Sequence, residues 1–145
     1  MEIIDKYTKM IMSATKAGEK DKANVYKLIK AKMLEFVTAK NAGVLNESAE
    51  VTILNKMMKE RIDTTTVYIN AGRIDLADKE TLEANIIKEL LPPEVSKEDI
   101  EAYVSYWYPN GIEKKSMGLV IKEIKEKYIG VDGKLVADIV KNNLI

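Results

Sequence analysis

Apolar residues recur along this chain every three or four positions, which is the spacing of one face of an α-helix. The spacing predicts a first helix over residues 2–17 and a second over residues 21–41. A third helix is predicted from a cap at Asn46 or Ser48 to about Ala71, because these side chains can accept a bond from a free N–H group at a helix start.

The weakest part of the third helix is the stretch TTTVYI, residues 64–69. This run of β-branched residues would favour a strand on propensity alone. A lone strand between long helices would lack a partner, and no second strand candidate is convincing elsewhere in the chain. We therefore predict that residues 64–69 are helical.

A short corner, Ala71-Gly72-Arg73, separates the third helix from the fourth. Gly72 fits the position just beyond a helix end, where the backbone is left-handed and a Cβ atom would be penalised. Asp75 is predicted to be the N-cap of the fourth helix. Arg73 is expected to bond free carbonyls or a neighbouring acid, because helix ends leave unpaired carbonyls. We therefore favour a structural role over ligand binding for Gly72, Arg73 and Asp75.

Two consecutive prolines, Pro92-Pro93, end the fourth helix because proline cannot continue it. Beyond them the helical spacing restarts, and three short helices are predicted with caps at Ser96, Ser116 and Asp132. The sequence thus predicts an all-α protein without strands. It would have an N-terminal four-helix domain, residues 1–92, and a small three-helix tail domain, residues 93–145.

The residue types that the chain lacks exclude several kinds of chemistry. It has no cysteine and no histidine, which rules out thiol nucleophiles, disulfides, hydrolytic triads and zinc sites built on those residues. No carboxylate pair has the apolar setting that acid catalysis needs, and Glu80 and Glu83 are expected on a solvated acidic face. No glycine-rich phosphate loop is present. We expect no catalytic residue, no metal site and no cofactor.

The charge of the chain is balanced but unevenly spread. Its formal net charge is zero, which argues against strong non-specific binding to polyanions. Residues 1–45 carry nine lysines against five acids, residues 46–101 seven bases against thirteen acids, and residues 102–145 seven lysines against five acids. The ends could still present a basic face. No apolar run has the length of a membrane span and no signal-peptide pattern opens the chain, so we expect a cytoplasmic protein.

Two groups in the tail are candidates for binding. Lys114 and Lys115 lie just before a predicted helix start, a setting that suits a phosphate. The full candidate set for nucleic-acid binding is Lys114, Lys115, Lys122, Lys125, Lys134 and Lys141. The alternative for this set is a solvated surface.

The second group is a cluster of four aromatic residues on one short helix: Tyr103, Tyr106, Trp107 and Tyr108. We expect these rings to belong to the core. An exposed ring could instead stack a base or anchor a partner.

Three stretches resemble the YqeY-like family. Residues 69–96 resemble its central signature through Ala71-Gly72-Arg73, Asp75-Leu76, Lys79-Glu80 and Leu91-Pro92. Residues 16–31 are similar to the family's first corner. Residues 116–144 are similar to its tail, through Met117-Gly118, Gly130 and Asp132-Gly133-Lys134. The resemblance covers nearly the whole chain in order.

This resemblance implies a helical N-terminal domain followed by a three-helix tail. It also implies similarity to the C-terminal region of one component of the aspartyl/glutamyl-tRNA amidotransferase, a region that helps to hold tRNA and lies apart from the catalytic domain. The expected function is a non-catalytic accessory module associated with tRNA or other RNA. A link to a carbon–nitrogen ligase with glutamine as amido donor is implied, but no catalytic residues are visible. The alternative is a helical docking module of a larger protein assembly without RNA, with Trp107 as a candidate anchor.

Overall fold

The computed structural model describes residues 2–145, and over that range the protein is all-α, with seven α-helices and no strand. The predicted fold class is therefore confirmed. A single 3₁₀ turn, Lys114–Ser116, precedes the sixth helix. The helices are α1 (Glu2–Lys16), α2 (Lys20–Thr38), α3 (Glu47–Asn70), α4 (Ile74–Leu90), α5 (Lys97–Trp107), α6 (Met117–Lys127) and α7 (Gly133–Asn142).

Three of the predicted helix starts are capped by side chains. Asn46 accepts a hydrogen bond from the N–H of Ala49 at 2.9 Å. Ser96 and Asp99 form a reciprocal capping box at the start of α5, at 3.1 and 3.2 Å. Asp132 accepts from the N–H of Lys134 at 3.0 Å at the start of α7. These polar residues satisfy N–H groups that have no partner inside the helix.

Ser116 does not cap α6, so that prediction is wrong. Its side chain makes no cap hydrogen bond, and its backbone is helical at φ −95° and ψ −4°. A capping side chain needs an extended backbone to reach back to the first N–H groups. Ser116 lies in the preceding 3₁₀ turn, so its backbone is helical rather than extended before α6 begins.

The β-branched run at residues 64–69 lies inside α3, as predicted. Thr64 donates its hydroxyl to the carbonyl of Glu60 at 2.8 Å, and Thr65 does the same to Arg61 at 2.8 Å. Such bonds to the preceding turn satisfy the hydroxyls within the helix. Helical context therefore accommodates residues whose intrinsic preference is for strands.

The chain divides into two compact units that meet in sequence at Leu91 and Pro92. We call residues up to Leu91 the first unit and residues from Pro92 the second unit. The division into an N-terminal domain, residues 1–92, and a tail domain, residues 93–145, stays a prediction. Within residues 2–145, none of the helices has both the length and the apolar character needed to cross a membrane.

The first unit is built from two helical hairpins, α1 with α2 and α3 with α4. Its core is a cluster of buried side chains: Ile4, Tyr7, Val25, Ile29, Met33, Leu54, Met57, Ile86 and Ile87. Three positions differ from the helical spacing in the sequence. Leu28 and Leu82 are exposed, although their spacing suggests burial, and Met57 rather than Met58 is fully buried. Leu28 and Met58 each adjoin a core residue, Ile29 and Met57 respectively.

Glu50 is a buried carboxylate in the first unit. Its Oε2 lies 2.6 Å from Nζ of Lys6, so its charge is paired. Burial raises the pKa of the neighbouring Tyr7 above its ordinary range, and the Glu50 carboxylate adds to that rise. The α1 and α3 helices are thus joined by a polar contact at the edge of the core.

The second unit has its own core, formed by side chains of all three helices and by Ile112. The buried members are Ile100, Val104, Ile112, Val120, Ile124, Val136, Ile139 and Val140. Ile112 also forms an isolated parallel bridge with Leu144. Its N–H donates to Asn143 at 2.8 Å, and its carbonyl accepts from Ile145 at 3.0 Å. The segment between α5 and α6 is therefore tied to the segment that follows α7.

The turn at Gly72 closes the α3–α4 hairpin. Gly72 has φ +73°. Its N–H donates to the carbonyl of Ile69 at 3.0 Å, and the N–H of Arg73 donates to the carbonyl of Tyr68 at 2.8 Å. This pair of bonds is a Schellman motif, which requires a left-handed residue. No heavy atom lies within 4 Å of a Cβ built on Gly72, so backbone strain is the only penalty for a side chain.

Gly72→Ala should therefore destabilise the first unit by about 1 kcal/mol, because alanine is penalised in the left-handed region. Gly118, which lies in α6 without a left-handed backbone and with open space around its Cβ position, is the matched control. Gly118→Ala should stabilise by about 0.5 kcal/mol, since alanine favours helix. Urea denaturation followed by circular dichroism measures both. Equal effects of the same sign would contradict this account.

Candidate nucleic-acid interface

All six candidate lysines are exposed in the second unit. Lys115 pairs with Glu113, with 3.3 Å between Nζ and Oε2. The other five form no ion pair with any residue from 2 to 145: Lys114, Lys122, Lys125, Lys134 and Lys141. Unpaired, hydrated ammonium groups are the chemistry that neutralises phosphates.

The Lys125 side chain reaches the start of α7, where Lys134 is the second residue of the helix. The end of the Lys125 side chain lies over Gly133, where an added Cβ would be 3.1 Å from both Cε and Nζ. Lys134 is the next residue, and Asp132 supplies one carboxylate as the cap. A side chain at Gly133 would require the end of Lys125 to shift by a few tenths of an ångström. The Lys125 ammonium group therefore lies near the positive end of α7, which the Asp132 side chain caps.

The remaining lysines are spread along the helices. Lys114 and Lys115 precede α6, and roughly 15 Å of helix rise separates them from Lys125 near its other end. Lys122 shares a side of α6 with Lys125 at i, i+3 spacing, and Lys141 follows Lys134 two turns later in α7. The predicted set is thus spread along α6 and α7 rather than gathered in a single cluster, and we call these six residues the lysine line.

A carboxylate joins α5 to α6 beside this line. Glu123 accepts hydrogen bonds from the hydroxyls of Tyr103 and Tyr108, the latter at 3.0 Å. Burial raises the pKa of Tyr103 to about 12, and the hydrogen bond to Glu123 and its negative charge add to the rise. The pKa of Tyr108 is raised for the same reasons in the same order. Both phenols are therefore neutral donors at physiological pH.

Two of the four aromatic residues are exposed, so the expectation that the cluster belongs to the core is wrong for them. Tyr106 is 75% exposed and Trp107 is 60% exposed, whereas Tyr103 and Tyr108 are half-buried. Trp107 shares a helix face with the buried Ile100 and Val104, but it is the last residue of α5. The core ends at Val104, one turn earlier, so helical spacing alone could not show that Trp107 lies beyond it.

Lys127 is a residue that the sequence reasoning missed. Its Nζ lies 5.9 Å from the centre of the Tyr103 ring and 5.7 Å from that of Tyr128, within the range of cation–π contacts. The i, i+4 spacing from Glu123 places it on the side of α6 that faces α5. We call Tyr103, Tyr106, Trp107, Tyr128 and Lys127 the aromatic surface.

At the corner between α3 and α4, an ion pair between Arg73 and Asp75 is present and no side chain caps the start of α4. Helix α4 begins at Ile74, and the residue at its N-cap position is Arg73, without a side-chain cap bond. Asp75 is therefore not the N-cap, contrary to expectation. Its two carboxylate oxygens accept from Nε and Nη2 of Arg73 at 3.2 and 3.1 Å. This bond to Arg73 lowers the pKa of Asp75 below its ordinary value.

Glu83 also departs from expectation, because it is not part of a solvated face. Its Oε2 lies 3.2 Å from Nε of Arg61, and both side chains are largely buried between α3 and α4. Arg61 additionally donates to the carbonyl of Met57 at 3.1 Å. Among residues 2–145, no three acidic side chains gather in a way that could hold a metal ion.

Glu123→Gln should lower the phenol pKa values of Tyr103 and Tyr108, because it removes the negative charge next to each phenolate that would form. The absorbance of phenolate near 295 nm, followed from about pH 8 to about pH 12.5, measures the shift. Glu126→Gln, an exposed carboxylate on the same helix, is the control and should leave the titration unchanged. Identical curves for the two variants would show that Glu123 does not influence these tyrosines.

The sequence is similar to one family of known proteins. The model of one protein family, described as Yqey-like protein, matches residues 4–144. No curated protein matches the chain. The family match covers nearly the full length and includes the corner at Gly72, both units and the lysines of the second unit. The chain belongs to the YqeY-like family.

Proposed function

We propose that this protein is a non-catalytic accessory module that binds RNA through the lysines of its second unit. The observation that carries the proposal is the approach of Lys125 to Gly133, which places the Lys125 ammonium group at the start of α7, where Lys134 is the second residue of the helix. Free N–H groups and the positive helix end add to their attraction for a phosphate. The resemblance of the tail to the tRNA-holding region of an amidotransferase supports tRNA as the RNA bound.

The charge balance limits how strong this binding can be. The chain has a net charge of zero, so few phosphates are neutralised at once. The line of lysines is long enough to follow a nucleic-acid backbone but carries few charges per unit length. We therefore expect modest affinity at physiological salt, with a pronounced dependence on ionic strength.

Lys114→Glu combined with Lys115→Glu should abolish binding of bulk tRNA at low salt, because it removes two ammonium groups and adds two carboxylates on the line. For the unmodified protein, log K should fall with log salt by roughly 0.7 to 0.9 per neutralised phosphate. Fluorescence anisotropy of labelled tRNA at about 20 mM and about 150 mM salt measures both effects. Circular dichroism should show an unchanged fold, since both residues are exposed.

The matched control changes the same charges elsewhere. Lys56 and Lys59 are exposed on α3 and form no ion pair with residues 2–145. Lys56→Glu combined with Lys59→Glu should reduce tRNA affinity far less. If both double variants weaken binding equally, net charge alone determines it and the second unit is not the contact surface. No binding by the unmodified protein at the lower salt concentration would contradict the proposal.

A second candidate function is docking to a protein partner, and the exposed corner between α3 and α4 favours it. Five large apolar residues are exposed there: Ile62, Val67, Ile69, Ile74 and Leu82. Ile62 and Ile69 lie two turns apart on one face of α3. Exposed apolar residues grouped in one region are typical of interaction surfaces. Docking through this corner would require no RNA.

Ile62→Glu combined with Ile69→Glu should release a protein partner that co-purifies with the unmodified chain and resists treatment with ribonuclease. The variant Trp107→Ala should retain that partner, because Trp107 belongs to the second unit. Quantitative affinity purification compares the three proteins. A partner that is lost after ribonuclease treatment would count against docking and in favour of RNA.

A further inference from the structure

The aromatic surface presents rings that the fold does not use. Tyr106 and Trp107 are 75% and 60% exposed, and their rings meet edge to face with centres 5.0 Å apart. The Tyr103 ring lies 6.4 Å from Trp107 and is tilted by 47° to it. Exposed apolar residues grouped in one patch, unlike scattered ones, are typical of interaction sites.

These rings are backed by fixed neighbours. Tyr103 is restrained by its hydroxyl bond to Glu123 and by an edge contact with Tyr128, whose ring centre is 6.0 Å away. The Trp107 ring contacts those of both Tyr103 and Tyr106. A ring with restrained neighbours loses little conformational freedom when a flat ligand stacks on it, which favours binding.

The size of the exposed area distinguishes between two kinds of occupant. Fully buried Tyr and Trp residues each cover about 150–250 Å² of surface, so Tyr106 and Trp107 together expose on the order of 300 Å². A stable protein interface buries about 800 Å² on each partner. Apart from these two rings, the large exposed apolar residues described in the second unit are Leu119 and Ile145. The area fits one or two stacked bases better than a protein.

The charge beside the rings also fits a nucleic acid. Lys127 places its ammonium group near the rings of Tyr103 and Tyr128. The Glu123 carboxylate, one turn before Lys127 on α6, is occupied by two tyrosine hydroxyls. A phosphate next to a stacked base could therefore reach the Lys127 ammonium group, while the Glu123 oxygens are already hydrogen-bonded.

We propose that the aromatic surface stacks unpaired nucleobases of RNA, with Trp107 and Tyr106 as the platform and Lys127 contacting a neighbouring phosphate. The inference rests on the proposed RNA-binding function and deepens it. Lys122 and Lys125 lie on a different side of α6 from Lys127, so this is a second contact. The protein should accordingly prefer RNA with unpaired bases to a continuous duplex, because bases inside a duplex already stack on one another.

The chain provides its own reporter, since Trp107 is its only tryptophan. Titrating the unmodified protein at low salt with a short single-stranded RNA should quench its fluorescence and saturate. The same strand paired with its complement should quench much less. In parallel, anisotropy of the labelled single strand gives the affinity independently of the tryptophan.

Variants separate stacking from electrostatic binding. Trp107→Ala should weaken binding of the single strand by roughly ten-fold or more, in line with the loss of one base stack. Leu119→Ala, at a residue that is 71% exposed on α6, is the control and should change nothing. Trp107→Phe retains a ring and should recover part of the affinity, which covers the case in which the alanine variant folds poorly.

The outcomes distinguish this inference from the function on which it rests. Salt-dependent RNA binding without quenching, and with equal affinity for Trp107→Ala, would overturn stacking and leave the lysine line as the contact. Equal binding and quenching by single strand and duplex would also overturn it. No RNA binding by the unmodified protein at low salt would overturn both proposals and favour a protein partner.

Discussion

Reversal of the chain is the constraint on which the first unit depends. Each of its helices has one apolar side, and a helix can bury that side only against another helix. The tight turns at Gly18 and Gly72 create the two hairpins, and both residues adopt a left-handed backbone. The Schellman bonds at Gly72 fix where α3 ends, and they thereby set which residues of α4 face Arg61 and Met57. Packing, the Arg61–Glu83 pair and the exposed corner all follow from that turn.

The second unit also buries the apolar sides of its helices against one another, although it contains fewer residues than the first. Its three helices are short, so a small core is supplemented by polar and backbone ties. Glu123 joins α5 to α6 through two tyrosine hydroxyls, and Ile112 joins the loop between them to the segment after α7. The outer sides of α6 and the end of α5 take no part in these contacts. The lysines of α6 and the exposed rings of Tyr106 and Trp107 lie on those free sides, so substitutions there should leave the core intact.

Much of the fold could be predicted because local rules act on a few residues at a time. Apolar spacing placed all seven helices, and Asn46, Ser96 and Asp132 cap them as their chemistry requires. Predictions were wrong where a distant or competing group determines the conformation or the bonding partner of a residue. Asp75 is bound by Arg73 rather than by the helix, and the winding of the chain before α6 prevents Ser116 from capping. Trp107 lies on the correct face, yet only the extent of the core shows that it is exposed. The contacts of Lys125 and Lys127 depend on other helices, which the sequence does not position.

The distal part of the α3–α4 hairpin has a consequence for how the first unit moves. Between Met57 and Ala84, Ala77 is the one fully buried residue described, and threonine hydroxyls there bond within their own helix. This stretch therefore depends on contacts between α3 and α4 such as the Arg61–Glu83 pair, whereas the other end of the hairpin belongs to the common core. Helical segments with few tertiary contacts open at a lower free energy than the whole domain. We therefore expect the tip of the hairpin to open at a lower free energy than the core of the first unit, which would let its exposed apolar residues change position.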